Sequence, residues 1–129
     1  MTKEVKTLSK DTSLFKAEEL FKKHKIKHAP VVKDNKIVGM LSLTDLQRLS
    51  FVDGYNDQYD NDFALYTNFT VGQVMMASPI KVTPDITIAE AALLLADKSF
   101  SALPVVEDDW LVGIITTTDL LRFFAKEAG

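Results

Sequence analysis

The sequence repeats itself. Displaced by 74 positions it aligns with itself without a gap: Asp11 falls on Asp85, Ala17 on Ala91 and Leu20 on Leu94. The run Pro30-Val31-Val32 falls on Pro104-Val105-Val106, Val38-Gly39 on Val112-Gly113, Thr44-Asp45-Leu46 on Thr118-Asp119-Leu120, and Arg48 on Arg122. A duplication of this kind constrains the fold more than any composition, because whatever one copy forms the other must form too. Two copies fall short of the three or more that a solenoid requires. The expected design is a pair of like units packed sheet to sheet about a pseudo-twofold axis. The first repeat is expected over residues 1–49 and the second over 70–129, with an acidic and aromatic connector over 50–69.

Each copy reads as strand, helix, strand, strand, helix, so the fold class is α+β. Ser13 and Thr87 are helix N-caps, and Thr87 has Glu90 three residues on, the spacing of a capping box. Leu14, Ala17, Leu20 and Phe21 in one copy, and Ile88, Ala91, Ala92 and Leu95 in the other, follow helical spacing. Leu93 and Leu94 widen the second stripe, so the second copy's helix is expected to be the more buried of the two. The runs "APVV" and "LPVV" are short β-branched strands entered through proline, which keeps the preceding residue extended. "KDNK" and "EDDW" are tight turns, and "KIVGML" and "LVGII" are the returning strands. A second helix starts near Asp45 and Asp119.

Composition removes several function classes. The 129 residues contain no cysteine, which excludes disulfides, thiolate zinc sites and cysteine nucleophiles. His24 and His28 are the only histidines, so a histidine metal site would need carboxylates. The connector's Asp53, Asp57, Asp60 and Asp62 do not have EF-hand spacing. No metal site and no catalytic residue is expected: there is no Walker loop and no Ser-His-Asp arrangement. A net charge of −3 without a basic run interleaved with aromatics argues against nucleic acid. The longest apolar stretch, "AEAALLLA", is too short to span a bilayer. No signal peptide is visible at the N-terminus, and the cytoplasm is the expected compartment.

The strand-to-helix corner carries the chemistry. In "GMLSLTDL" and "GIITTTDL" the hydroxyl of Ser42 or Thr116 sits near a strand end and the carboxylate of Asp45 or Asp119 at the start of the next helix. Unpaired N–H groups at such a helix start favour anions. A carboxylate can accept from both hydroxyls of a ribose, as in dinucleotide-binding folds. Gly39 and Gly113 leave room for a flat base or another strand. The plainer alternative is that Thr44 and Thr118 are N-caps, with Asp45 and Asp119 at the first helical position.

These elements, in this order and twice over, resemble a tandem pair of cystathionine-β-synthase (CBS) domains, a Bateman module. "GMLSLTDL" and "GIITTTDL" match the family's Gly-x-x-Ser/Thr-x-x-Asp element, "HAPVV" and "ALPVV" its strand, and "VMMASPIKVTPD" its lead-in segment. The resemblance implies a regulatory module, not an enzyme, whose clefts between the copies bind AMP, ADP, ATP or S-adenosylmethionine. No obligatory cofactor is implied. It also implies pairing into a homodimer and a regulated partner protein.

Residue by residue, the resemblance implies that Asp45 and Asp119 hold ribose, with Ser42 and Thr116 near ribose or phosphate. Met40 and Ile114 would lie beside adenine or sugar, and the lead-in residues Lys6 and Ile80 would offer backbone to the base. Lys27 and His28 would serve the Asp119 cleft, and Ser101 and Ala102 the Asp45 cleft. His28 is either a phosphate contact or a partly exposed loop histidine, and Lys25 is a solvated charge. Trp110 sits in a turn, exposed or at a dimer contact. Leu46, Leu49, Leu120, Phe123 and Phe124 are expected to form the dimer surface. Family members carry a few residues before the first Met-Thr; here the sequence begins at Met1, where the second copy has "TVGQVM" leading to Met75. A trimmed chain or a fragment of a longer one is expected, with an abbreviated wall at Met1–Lys6. The rival reading is a ligand-free interaction module.

Overall fold

The structure, a computed structural model, describes residues 3–47, 69–97 and 101–128. The connector expected over 50–69, apart from Phe69, lies outside the described residues, as does Leu49. The fold is α+β. Its contacts group the chain into two units, Lys6–Ser78 and Met1–Val5 with Pro79–Gly129.

In the first unit Ser13 caps α1 (Leu14–His24), its hydroxyl accepting from the Lys16 N–H at 3.2 Å. The helix buries Leu14, Ala17 and Phe21. It ends at Lys25, exposed and in the left-handed region with φ 54°, whose N–H returns to the Phe21 carbonyl. Strand β1 (His28–Lys33) and strand β2 (Lys36–Ser42) form an antiparallel hairpin. Its two turn residues, Asp34 and Asn35, have φ of 52° and 65°. Positive φ at both positions is the geometry that suits the twist of a two-residue hairpin, and Asp and Asn tolerate it. Residues 43–47 continue directly as helix. The lead-in segment adds one parallel bridge, Leu8 to Val31.

The last part of this unit belongs by sequence to the second repeat. Phe69 and Thr70 lie beside the start of α1, where the Leu14 N–H donates to the Phe69 carbonyl at 3.2 Å. The short helix α2 (Val71–Val74) follows, with the Val71 N–H on the Thr12 carbonyl and the Gly72 N–H on the Lys10 carbonyl. Val71 is fully buried in a core with Leu8, Leu14, Ala17, Phe21, Ala29, Val31, Leu41 and Leu46. Strand β3 (Met76–Ala77) then pairs with β2, setting Ala77 opposite Gly39. A Cβ at Gly39 would meet the Met75 thioether, with Cγ at 3.0 Å and Cε at 3.1 Å. The close approach expected at this glycine is therefore made by Met75 and β3.

The second unit repeats the plan. Thr87 caps α3 (Ile88–Asp97) through the expected capping box: its hydroxyl accepts from the Glu90 N–H at 3.1 Å, and its own N–H donates to the Glu90 carboxylate at 3.0 Å. The Thr87 N–H, and after it the Thr87 hydroxyl, which donates to the same carboxylate at 2.9 Å, hold the Glu90 carboxyl below its ordinary range. Strands β4 (Ala102–Glu107) and β5 (Trp110–Thr116) form a hairpin through Asp108 and Asp109, again at positive φ. Both hairpins carry a register shift at the same place, Val31/Val32 and Val105/Val106. Val82 bridges Val105 as Leu8 bridges Val31. Helix α4 (Thr117–Ala128) ends the unit.

Two expectations are corrected. The second copy's first helix is not the more buried. Leu14 on α1 is 0 % exposed, whereas its counterpart Ile88 is 40 % exposed, and Leu93 is exposed as well. The cause is the cover that Phe69–Val71 gives to α1. Leu46 and Leu120 are core residues, not a dimer surface, because their helices start one step after the strand and turn these leucines inward. Phe123 and Phe124 are exposed as expected, with Leu121 beside them in sequence.

Candidate functional site

Both units build the same corner, and each is fixed by its own hydrogen bonds. In the first unit His28 stands opposite Ser42, and Pro30 opposite Met40, in the β1–β2 register. The Leu43 N–H donates to the Lys27 carbonyl at 2.8 Å, so the helix starts at once with no intervening loop. The Ser42 hydroxyl accepts from the Asp45 N–H at 3.1 Å. In the second unit Ala102 stands opposite Thr116 and Pro104 opposite Ile114. The Thr117 N–H donates to the Ser101 carbonyl at 3.0 Å. The Thr116 hydroxyl accepts from the Asp119 N–H at 3.0 Å, and the Thr116 N–H donates to Asp119 Oδ2 at 3.0 Å.

The caps are therefore Ser42 and Thr116, not Thr44 and Thr118, and the aspartates occupy the third helical position, not the first. With the strand running straight into the helix, the last strand residue is the one whose side chain reaches the open N–H groups. In the second corner Thr116 caps and the Asp119 carboxylate closes the box, in the first Ser42 caps, and Thr44 and Thr118 are exposed. Of the first three N–H groups at each helix start, only those of Thr44 and Thr118 have no partner among the described residues. The anion-favouring N–H groups expected here reduce to one per corner.

The structure brings together Lys27, His28, Met40, Ser42 and Asp45 in the first unit, and Ser101, Ala102, Ile114, Thr116 and Asp119 in the second. Asp45, Asp119, Ser42, Thr116 and His28 are half-buried; Lys27 and Ser101 are exposed. Met40 and Ile114 are buried, each 5 % exposed, so each offers only a sliver of side chain to solvent. Ala102 is buried. Lys6 and Ile80 are exposed and lie outside the strands, two residues before the Leu8 and Val82 bridges. Each aspartate keeps acceptor capacity beyond its cap, since a carboxylate has about four acceptor positions.

One pairing was not visible in the sequence. His28 feels the Asp45 carboxylate of its own unit. Burial lowers the His28 pKa from its ordinary value; Asp45 opposes this and Lys27 adds to it. The imidazole is therefore predominantly neutral near pH 7 and available to gain a proton when an anion approaches. The hydroxyl of Thr117, which donates to the Ser101 carbonyl at 3.4 Å, was also missed. Among the described residues no group of His, Cys, Asp and Glu could hold a metal ion, and no helix is long and apolar enough to cross a membrane.

The sequence pattern of the CBS domain matches residues 1–51 and 71–126, which is most of the chain. The chain belongs to the CBS domain family. A relative is CBS domain-containing protein YhcV of Bacillus subtilis, 28 % identical over 120 residues that cover 93 % of this chain and 79 % of that one. Inosine-5'-monophosphate dehydrogenase of Korarchaeum cryptofilum is 30 % identical over 92 % of this chain, but that match spans only 22 % of the dehydrogenase. The crystal structure of CBSX2 in complex with AMP, a protein of Arabidopsis thaliana, superposes with a TM-score of 0.80 at 29 % identity, covering 100 % of this chain and 95 % of that one.

Proposed function

We propose that the chain is a cytoplasmic regulatory module that senses an adenine nucleotide or related adenosyl ligand at its two strand-to-helix corners. The observation that carries this reading is the duplicated Ser/Thr-x-x-Asp corner, where the Asp119 carboxylate accepts one capping bond and both carboxylates have further acceptor capacity. The AMP complex of CBSX2, similar along the whole chain, supports the ligand class. On this reading Asp45 and Asp119 hold ribose hydroxyls and Ser42 and Thr116 line the sugar. Met40 and Ile114 touch base or sugar, and Lys6 and Ile80 offer backbone to the base. Lys27 and His28 meet phosphate, while Ser101 and Ala102 give the uncharged equivalent. The module performs no chemistry on the ligand. It pairs with a second copy through its last helix, where Leu121 and Phe124 are 64 % and 48 % exposed, and acts on a partner protein.

A second reading is favoured by one observation. Capping alone accounts for Ser42, Thr116 and Asp119, so a ligand-free interaction module would keep them too. A thermal-shift screen with AMP, ADP, ATP and S-adenosylmethionine separates the readings. A ligand that binds only the folded state adds about 2.7 kcal/mol at a hundredfold excess over Kd, which is several degrees in Tm. A shift of that size supports the sensor. No shift with any of the four at millimolar concentration supports the interaction module.

A further inference from the structure

The two corners share a backbone and a cap but differ in one titrating group. The cross-strand pair at the strand ends is His28 with Ser42 in the first unit and Ala102 with Thr116 in the second. The residue before that pair is Lys27 in one and Ser101 in the other, and in both its carbonyl receives the N–H that starts the helix. An imidazole therefore stands in the first unit where the second has a methyl group. His28 is half-buried, and Lys27 beside it is exposed.

The surroundings leave this imidazole short of a charge that it can take. Across the hairpin β2 presents the uncharged Ser42, whose hydroxyl accepts from the Asp45 N–H at 3.1 Å and so holds Asp45 at the same corner. Among the described residues Asp45, on the following helix, and Lys27, before β1, are the charged groups that act on His28. Partial burial disfavours the imidazolium and Lys27 repels it, while Asp45 compensates only in part. An anion within about 4–6 Å shifts that balance toward the charged form. A phosphate monoester brings a charge of about −1.5 to −2 at pH 7; adenosine and S-adenosylmethionine carry no phosphate.

We propose that His28 selects a phosphorylated adenosyl ligand over an unphosphorylated one and takes up a proton as the phosphate binds, so that affinity for the nucleotide rises as pH falls from 8 to 7. The proton comes from solvent and rests on the imidazole, which then meets the phosphate as a cation beside Lys27. Ala102 offers no site for a proton, so its corner lacks this coupling. The inference rests on the sensor reading and adds to it a ligand class and a regulation: the nucleotide is read together with pH.

The test is calorimetric titration of AMP and of adenosine into the full chain at pH 7 and pH 8, each in two buffers of different ionisation enthalpy. A phosphate monoester has its second pKa at about 6, so AMP stays largely dianionic over this range and the pH effect belongs to the protein. The wild type is expected to take up protons with AMP and none with adenosine. Its AMP affinity should be about threefold to tenfold higher at pH 7 than at pH 8. His28→Gln should lose both the uptake and the pH dependence. His28→Lys, charged at both pH values, should bind AMP without pH dependence. Proton uptake by the wild type needs no variant, and decides the matter even where a variant does not fold. AMP binding without proton uptake, uptake that persists in His28→Gln, or adenosine bound as tightly as AMP at pH 7 overturns the proposal and leaves the sensor reading standing. No AMP binding at either pH overturns both.

Discussion

Asp45 and Asp119 occupy equivalent positions but hold up their helices unequally, and this sets an expectation for the ligand-free protein. Asp119 Oδ2 accepts the Thr116 N–H at 3.0 Å, closing a reciprocal box with the Thr116 hydroxyl. For Asp45 only the backbone half is formed among the described residues, its N–H on the Ser42 hydroxyl. Its charge acts on His28, which burial keeps predominantly neutral near pH 7. Replacement by alanine removes the favourable dipole term at both sites, about 0.5 kcal/mol at a half-exposed helix start. At Asp119 it also removes a capping bond worth about 1 kcal/mol. We therefore expect Asp119→Ala to cost about 1.5 kcal/mol and Asp45→Ala about 0.5 kcal/mol. For a chain of this size these are falls of about 5 °C and 2 °C in Tm. Asp119→Asn, which keeps an acceptor, should resemble Asp45→Ala. Calorimetric melting of the ligand-free variants reads all three. Equal losses from the two alanine variants, or Asp119→Asn as damaging as Asp119→Ala, would refute the reasoning.

Two further outcomes follow from the packing and the titration. Gly39→Ala forces its new methyl against Met75, so it should cost about 1–3 kcal/mol; urea unfolding should show a smaller cost in a Met75→Ala background, and equal costs in both would contradict the contact. Because the folded His28 pKa lies below its unfolded value of about 6.5, the unfolded chain takes up this proton first. Stability is then full above about pH 6.5 and declines as pH falls through and below it. His28→Gln should flatten that part of the pH–Tm curve, and an unchanged or steeper acid decline in the variant would contradict the assignment.

Much of the fold was legible because its signals are local. The hairpin turns follow from Asp-Asn and Asp-Asp at positions that need positive φ, and the capping box from Thr87 and Glu90. The corner was legible in kind but not in detail. Three hydroxyl or carboxylate side chains within four residues in the first copy, and four in the second, leave the cap ambiguous, and only the direct strand-to-helix passage settles it on Ser42 and Thr116. The burial of the two first helices was misjudged because hydrophobic spacing describes a helix and not what lies on it. Phe69–Val74 is too short and too far along the sequence for its place on α1 to be read from periodicity. The same holds for Met75 over Gly39, and for His28 beside Asp45, which depends on a hairpin register that a single shift at Val31/Val32 alters.

The central claim is that the two aspartate corners hold an adenosine-containing ligand. Its most direct measurement is calorimetric titration of AMP into the wild-type chain, Asp45→Asn, Asp119→Asn and the double variant, at a temperature where all four are folded. The account predicts saturable binding to the wild type, weakened in each single variant that serves an occupied corner. It predicts no measurable binding to the double variant. Binding that survives unchanged when both carboxylates have been replaced would contradict it.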